Sequence, residues 1–194
     1  VLGLDQAPHM TTELRSFLTS VCEHLSLALE HSDTHYRERR RSRQLSMVSE
    51  IANQAVRLEN LSEFLQKASE LLRNGFDYET VQIWILGVKQ ELILRGYASK
   101  SSTLTDADEI PSAMVCECLA QNRILCDNNL AGKSATNIEE SLSVASRLVL
   151  PISLRGKLIG ILSLESGRLD AFQDEDLSTM EGLASLIASA FENL

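Results

Sequence analysis

Residues 146–165 read Ser-Arg-Leu-Val-Leu-Pro-Ile-Ser-Leu-Arg-Gly-Lys-Leu-Ile-Gly-Ile-Leu-Ser-Leu-Glu. Two aliphatic runs, Ser146–Leu154 and Leu158–Glu165, flank Arg155-Gly156-Lys157, which is the pattern of two strands joined by a tight turn. The first run is apolar on both of its alternating sets, with Leu148, Leu150 and Ile152 opposing Val149. A strand of that kind is covered on both faces. Which set faces which layer stays open, because a one-residue slip exchanges the two.

Upstream, Tyr78–Leu86 and Glu91–Ala98 form a second hairpin across the polar turn Gly87-Val88-Lys89-Gln90. Here too Val81, Ile83 and Ile85 oppose Trp84 and Leu86. Leu61 to Arg73 carries Leu61, Phe64, Leu65, Ala68, Leu71 and Leu72 at helical spacing, with Asn74-Gly75 as its stop. Between the hairpins lie a polar loop (99–109), a short helix (Ser112–Gln121), a short strand (Arg123–Cys126) and a second loop of turn formers (127–137). A final helix, Asp174–Asn193, buries Leu177, Met180, Leu183, Ala184, Ile187, Ala190 and Phe191. The order predicts an α+β domain with one sheet, antiparallel at least within its hairpins. One face packs on the terminal helices, and the other is roofed by the middle helix and loops, where a pocket has room to form.

Across all 194 residues, 27 acidic side chains stand against 18 Lys plus Arg, a net charge of −9, which argues against a nucleic-acid partner. At 44 % apolar and 23 % charged residues the chain has enough material for a core. No apolar run reaches the roughly 18 residues of a membrane span, and Val1-Leu2-Gly3-Leu4-Asp5 lacks the marks of a signal peptide, so a cytoplasmic location is expected. Cys22, Cys116, Cys118 and Cys126 do not have the spacing of a disulfide framework, and each reads as a buried small hydrophobe.

From Thr12 to Leu58 there is neither Pro nor Gly. Leu14, Leu18, Val21, Leu25 and Ala28 are spaced 4, 3, 4 and 3, and Leu45, Val48, Ala52 and Ala55 repeat 3, 4, 3. This is a heptad seam, interrupted by the charged run 33–43 with Arg37, Arg39, Arg40, Arg41 and Arg43, which reads as a solvated face. A helix of about 45 residues is close to 70 Å long, too long to lie wholly against one domain, so a second copy of the chain is expected to cover it. Leu14, Leu18, Val21, Leu25, Leu45, Val48 and Ala52 are the expected dimerisation positions. The opening Val1-Leu2-Gly3-Leu4-Asp5 also matches Ile161-Leu162-Ser163-Leu164-Glu165, and Ala28-Leu29-Glu30 matches Ala190-Phe191-Glu192. The expectation is a tandem arrangement in a longer protein: 1–10 the remnant of a preceding domain, 11–58 a signalling linker helix, 59–194 the domain itself.

Residues 146–165, followed by Phe172-Gln173-Asp174-Glu175-Asp176-Leu177, resemble the closing signature of GAF domains, in which a Val-Pro-Leu strand end, a basic-Gly turn, a Gly-Val-Leu strand and a Phe-Thr-x-x-Asp helix start recur in this order. The resemblance covers 59–194 and implies a GAF-like central antiparallel sheet flanked by helices, preceded here by the long linker helix. Gln173 replaces the usual capping Thr, which passes the cap to Asp174. GAF domains are sensory and dimerising modules of signalling proteins such as histidine kinases of two-component systems, so the resemblance implies a homodimer through N- and C-terminal helices that passes small-molecule or conformational signals to an output domain, a kinase, cyclase or other enzyme, elsewhere in the protein.

Of the dispersed cyclic-nucleotide motif only Phe172 and Asp176 are matched, since Leu177 stands where Glu belongs. Bilin attachment and His-ligated haem both want a histidine in the domain, and His9, His24, His31 and His35 all precede it; the identity of any cofactor stays open. No metal set is complete, because Cys116-x-Cys118 places its thiols on different sides of a helix. No catalytic constellation stands out. The alternative is a thiol-based redox sensor, or an enzyme similar to the GAF-fold free methionine-R-sulfoxide reductase, using Cys116, Cys118 and Cys126. For a bound small molecule the expected liners are Trp84, Tyr97, Met114, Cys118 and Arg147, with Arg147 suited to an anion.

Overall fold

The computed structural model of the protein describes residues 46, 49–51, 60–101, 110–130 and 144–193. All of them fall in one compact unit, Gln44–Leu194. Its elements are α1 (Leu61–Phe76), β1 (Thr80–Leu86), β2 (Leu92–Ser99), α2 (Ala113–Gln121), β3 (Leu125–Asp127), β4 (Ser146–Leu154), β5 (Lys157–Ser166) and α3 (Asp174–Asn193). They form a GAF-like α+β domain around a five-stranded sheet of order β2-β1-β5-β4-β3, antiparallel at every pairing. The heptad positions Leu14, Leu18, Val21, Leu25, Leu45, Val48 and Ala52, the internal repeat and the four histidines lie outside the described residues.

Register settles the two faces. Val81, Ile83 and Ile85 of β1 stand in line with Leu162 and Leu164 of β5 and with Leu148, Leu150 and Ile152 of β4, all buried against Phe64, Leu65, Ala68 and Leu72 of α1 and Met180, Leu183, Ala184 and Ile187 of α3. Ile51, from the helical stretch before α1, is fully buried in the same core. The opposite set, Trp84, Val149 and Ile161, lies beneath Val115 and Cys118 of α2. The two terminal helices and the middle helix thus take the layers that the sequence order predicts.

The ends of the elements follow local chemistry modified by packing. Asn60 caps α1 by accepting from the Ser62 N–H at 2.9 Å. Contrary to the expected stop at Asn74-Gly75, α1 runs on to Phe76 and ends at Asp77, which takes the left-handed conformation at φ 58°. Phe76 is retained because it packs against the core and stacks on Tyr78 with ring centroids 5.5 Å apart, so burial outweighs the weak helix propensity of Gly75. The cap of α3 is likewise not Asp174. Gln173 occupies the cap, and the Asp176 carboxylate accepts its backbone N–H at 3.0 Å, the reciprocal half of a capping box. Asp176 is buried in that role, and Phe172 packs in the core near Tyr78, so both matches to the nucleotide motif are occupied structurally. Between β4 and β5 the turn tightens to Arg155-Gly156, with φ of 51° and 79°, the two positive angles of a type I′ hairpin.

Two side-chain amides finish the sheet. Gln66 of α1 donates to the Tyr97 carbonyl at 2.9 Å and accepts the Tyr97 N–H at 3.1 Å, the pair of bonds that a further strand would make on the outer edge of β2. Asn128, just past β3, does the same for Phe172, at 2.8 and 3.1 Å, and so ties the far end of the sheet to the start of α3. α1 approaches β2 so closely that a methyl group on Gly96 would lie 2.5 Å from the Leu65 carbonyl oxygen. Gly96→Ala is therefore expected to destabilise the domain by about 2 kcal/mol, by parting α1 from β2. Urea unfolding of the variant against the wild type checks this, and an unchanged midpoint would contradict the close approach.

Candidate ligand face

The face of the sheet beneath α2 is built from the residues that the core does not take. In an antiparallel sheet, residues directly opposite one another point to the same side. The register therefore aligns Ser99, Thr80, Glu165, Arg147 and Asp127 in one row across all five strands, and Tyr97, Gln82, Ser163, Val149 and Leu125 in the next. A third row holds Leu94, Trp84, Ile161 and Pro151. The face grades from polar at one end to apolar at the other.

The bulge in β2 makes this alignment possible. Ile83 pairs with Gly96 and Trp84 with Leu94, so Arg95 is the extra residue. Without it, Leu94 and Leu92 would turn to the wrong side; with it, both pack around Trp84.

At the polar end, Arg147 Nη2 lies 2.6 Å and Nε 2.9 Å from Glu165 Oε1, and both side chains are largely buried. Asp127 stands in register on the other side of Arg147. The guanidinium is thus paired with the Glu165 carboxylate across the β4–β5 pairing, with Asp127 next to it in the register. Thr80 and Ser99 hydroxyls lie 3.4 Å apart at the β1 end of the row.

Nearer the centre, two buried polar atoms have no hydrogen-bond partner, Trp84 Nε1 and Ser163 Oγ. Trp84 is fully buried and Ser163 is 1 % exposed. They occupy diagonal positions on neighbouring strands, since Trp84 pairs with Ile161 and Ser163 with Gln82. Buried donors are nearly always satisfied in folded proteins, so two orphans on one face depart from the rule that the rest of the domain follows.

Of the expected liners, Trp84 and Cys118 meet in the buried cluster under α2, and Met114 packs against it. Tyr97 and Arg147 share the face but stand on β2 and β4, on either side of the two central strands. Thr80, Gln82, Ser163 and Glu165 also belong to the face, although strand period alone does not single them out. Their signal in the sequence is polarity, as single polar residues interrupting aliphatic strands at every second position.

The cysteines are not all small buried hydrophobes. Cys118 is buried, whereas Cys116 and Cys126 are exposed, because Cys116 lies two residues around α2 from Cys118 and β3 is an edge strand. Burial pushes the Cys118 thiol up to about 11. Cys126 is also raised, by partial desolvation and by the neighbouring Asp127 carboxylate. Neither environment favours a thiolate. Among the described residues no group of three or more His, Cys, Asp and Glu side chains gathers to hold a metal ion, and no helix is long and apolar enough to cross a membrane.

The family model for the GAF domain matches residues 59–192. The chain belongs to the GAF domain family. No curated protein sequence matches it. Among solved structures, the GAF domain of this chain is similar to the free methionine-R-sulfoxide reductase of Neisseria meningitidis in complex with its substrate, at 18 % identity and a TM-score of 0.64 over 77 % of this chain and 88 % of that one. The substrate complex of the corresponding Staphylococcus aureus protein matches at 20 % identity and 0.63, over 76 % and 94 %. The GAF domain from an Acinetobacter phosphoenolpyruvate-protein phosphotransferase matches at 15 % and 0.62, over 77 % and 93 %. Likeness at these identities establishes the shared fold.

Because the unfolded Cys118 thiol ionises near its ordinary value of 9.0 and the folded one only near 11, the unfolded state loses its proton first as pH rises. The thiol's contribution to stability is therefore whole below about pH 8, declines from 9 to 11, and is gone above both values. Chemical unfolding of wild type and Cys118→Val across pH 8–11 should show the extra decline in the wild type only. Parallel curves would place Cys118 in a wetter setting than the one described. Ser163→Ala, which removes an unpaired buried hydroxyl, should leave stability unchanged or raise it by up to about 1 kcal/mol in the ligand-free protein.

Proposed function

We propose that this GAF domain is a non-catalytic sensory and dimerisation module, which binds a small molecule on the sheet face beneath α2 and passes the signal through its helices to an output domain of a larger signalling protein. The observation that carries the reading is the pair of orphaned donors, Trp84 Nε1 and Ser163 Oγ, buried on that face. Leaving two such groups unpaired lowers stability by about 1–3 kcal/mol each, a loss that a bound ligand recovers. α2 packs on β4 and β5 over this face, so a ligand held there bears on α2 and on β4, which carries α3 on its other side.

The helical stretch containing Ile51 gives the signal a path. Ile51 is buried in the same core as Leu148, Leu162 and Met180, so a shift of the sheet is felt by the segment that precedes α1. The seam Leu14, Leu18, Val21, Leu25, Leu45, Val48 and Ala52 then forms a coiled coil with a second copy, as in a two-component sensor working in the cytoplasm. Tyr97, Met114, Cys118 and Arg147 complete the ligand's surroundings with Trp84.

A thiol enzyme is the competing reading, since free methionine-R-sulfoxide reductases share the fold. It asks for a thiolate close to the ligand, and the cysteine beside Trp84 is Cys118, whose thiol is held protonated by burial. Substituting Cys116, Cys118 and Cys126 together by Ser or Val is expected to leave the domain folded. Native mass spectrometry of the freshly purified chain is expected to show a dimer carrying a retained small molecule, and incubation with methionine sulfoxide and dithiothreitol no turnover. Turnover that the triple substitution abolishes would replace this reading with the enzymatic one, and a clean monomer would remove the dimer from it.

A further inference from the structure

Trp84 Nε1 and Ser163 Oγ also restrict what the ligand is. We infer that it is an uncharged small molecule presenting a carbonyl-type oxygen to these two donors. This rests on the reading that the face binds a small molecule.

The indole N–H only donates, so its partner must be an acceptor. It has no such partner in the structure, and the apolar side chains clustered around Trp84 are Val115, Cys118, Val149 and Ile161 with Leu94 and Met114 packed alongside. Ser163 donates from a diagonal position one strand away. Diagonal neighbours are roughly 7 Å apart at Cβ, within reach of an aromatic side chain, and a carbonyl oxygen has two lone pairs with which to take both donors.

Charge is excluded from both directions. Among the described residues of the three rows across the face, Arg147 is the basic side chain, and it is bonded to Glu165 at 2.6 Å, so an anion there competes with that carboxylate. A cation meets the positive end of the indole N–H in an apolar cluster, far less favourable than water. A neutral acceptor satisfies both orphans with no charge to desolvate.

Trp84 is the single tryptophan of the chain, so one indole N–H resonance reports the site. The whole protein, labelled with 15N-tryptophan, is titrated with cyclohexanone, cyclohexanecarboxylate and cyclohexylammonium, which share a ring and differ in the polar group. Cyclohexanone is expected to move the resonance downfield and saturably, with a Kd about tenfold or more below those of both charged probes. Ser163→Ala is expected to weaken cyclohexanone about five- to tenfold while the remaining amide spectrum stays native. Equal or tighter binding of either charged probe would overturn the inference and leave the ligand site standing. If none of the three moves the resonance, the orphans belong to the packed or hydrated core, and this inference falls together with the ligand site.

Discussion

Everything in the domain hangs on the central strand β5, which pairs with β1 on one side and β4 on the other. Successive side chains of a strand point to opposite faces, so committing Leu162 and Leu164 to the core sends Ile161, Ser163 and Glu165 to the other side with no further choice. The same register then carries β1 and β4 with it: Val81, Ile83 and Ile85 inward, Thr80, Gln82 and Trp84 outward; Leu148, Leu150 and Ile152 inward, Arg147 and Val149 outward. One hydrophobic commitment on one strand therefore creates both the core and the face beneath α2. A slip by a single residue would bury Glu165 in the aliphatic core, which is energetically prohibitive and holds the register.

Around that strand, the structure spends side-chain amides and a bulge on keeping the sheet finite and its face uniform. Gln66 and Asn128 each make the two bonds of a missing neighbour, one on the outer edge strand and one at the junction with α3. The bulge at Arg95 restores the phase of β2 so that Leu92 and Leu94 join Trp84. Gly96 lets α1 lie directly on the backbone, which explains how a helix with a single apolar stripe covers an edge strand with few large core side chains of its own.

The face beneath α2 departs from the consistency of the core. A folding optimum would place an aliphatic residue at 163 and a partnered or smaller side chain at 84, and the protein has neither. Local choices that lower stability without serving the fold cluster where function is built. The Arg147–Glu165 pair has the opposite character, two polar side chains largely buried and bonded to each other, and it links β4 to β5 at the polar end. The buried thiol of Cys118 behaves as a small hydrophobe, whereas its two exposed counterparts on α2 and β3 are shaped by solvent.

The sequence by itself determined the elements, because strand and helix periods are local: the hairpins Tyr78–Ala98 and Ser146–Glu165, the helices before and after them, and the α+β class all follow from spacing. It also carried the family, through the Leu-Pro strand end, the Arg-Gly turn and the Phe172–Asp176 helix start. Tertiary structure decided what period alone leaves degenerate. Which face of each strand is core depends on partners tens of residues away, so Ser163 and Glu165 acquire meaning only once β5 lies between β1 and β4. The end of α1 at Asp77 rather than at Asn74-Gly75 depends on Phe76 finding the core and Tyr78. The balance of charge at Arg147 depends on two strands bringing Glu165 and Asp127 to it, 18 residues away on β5 and 20 on β3. In each case a long-range contact of several kcal/mol outweighs a local preference of less than about one, and only the folded chain brings those contacts together.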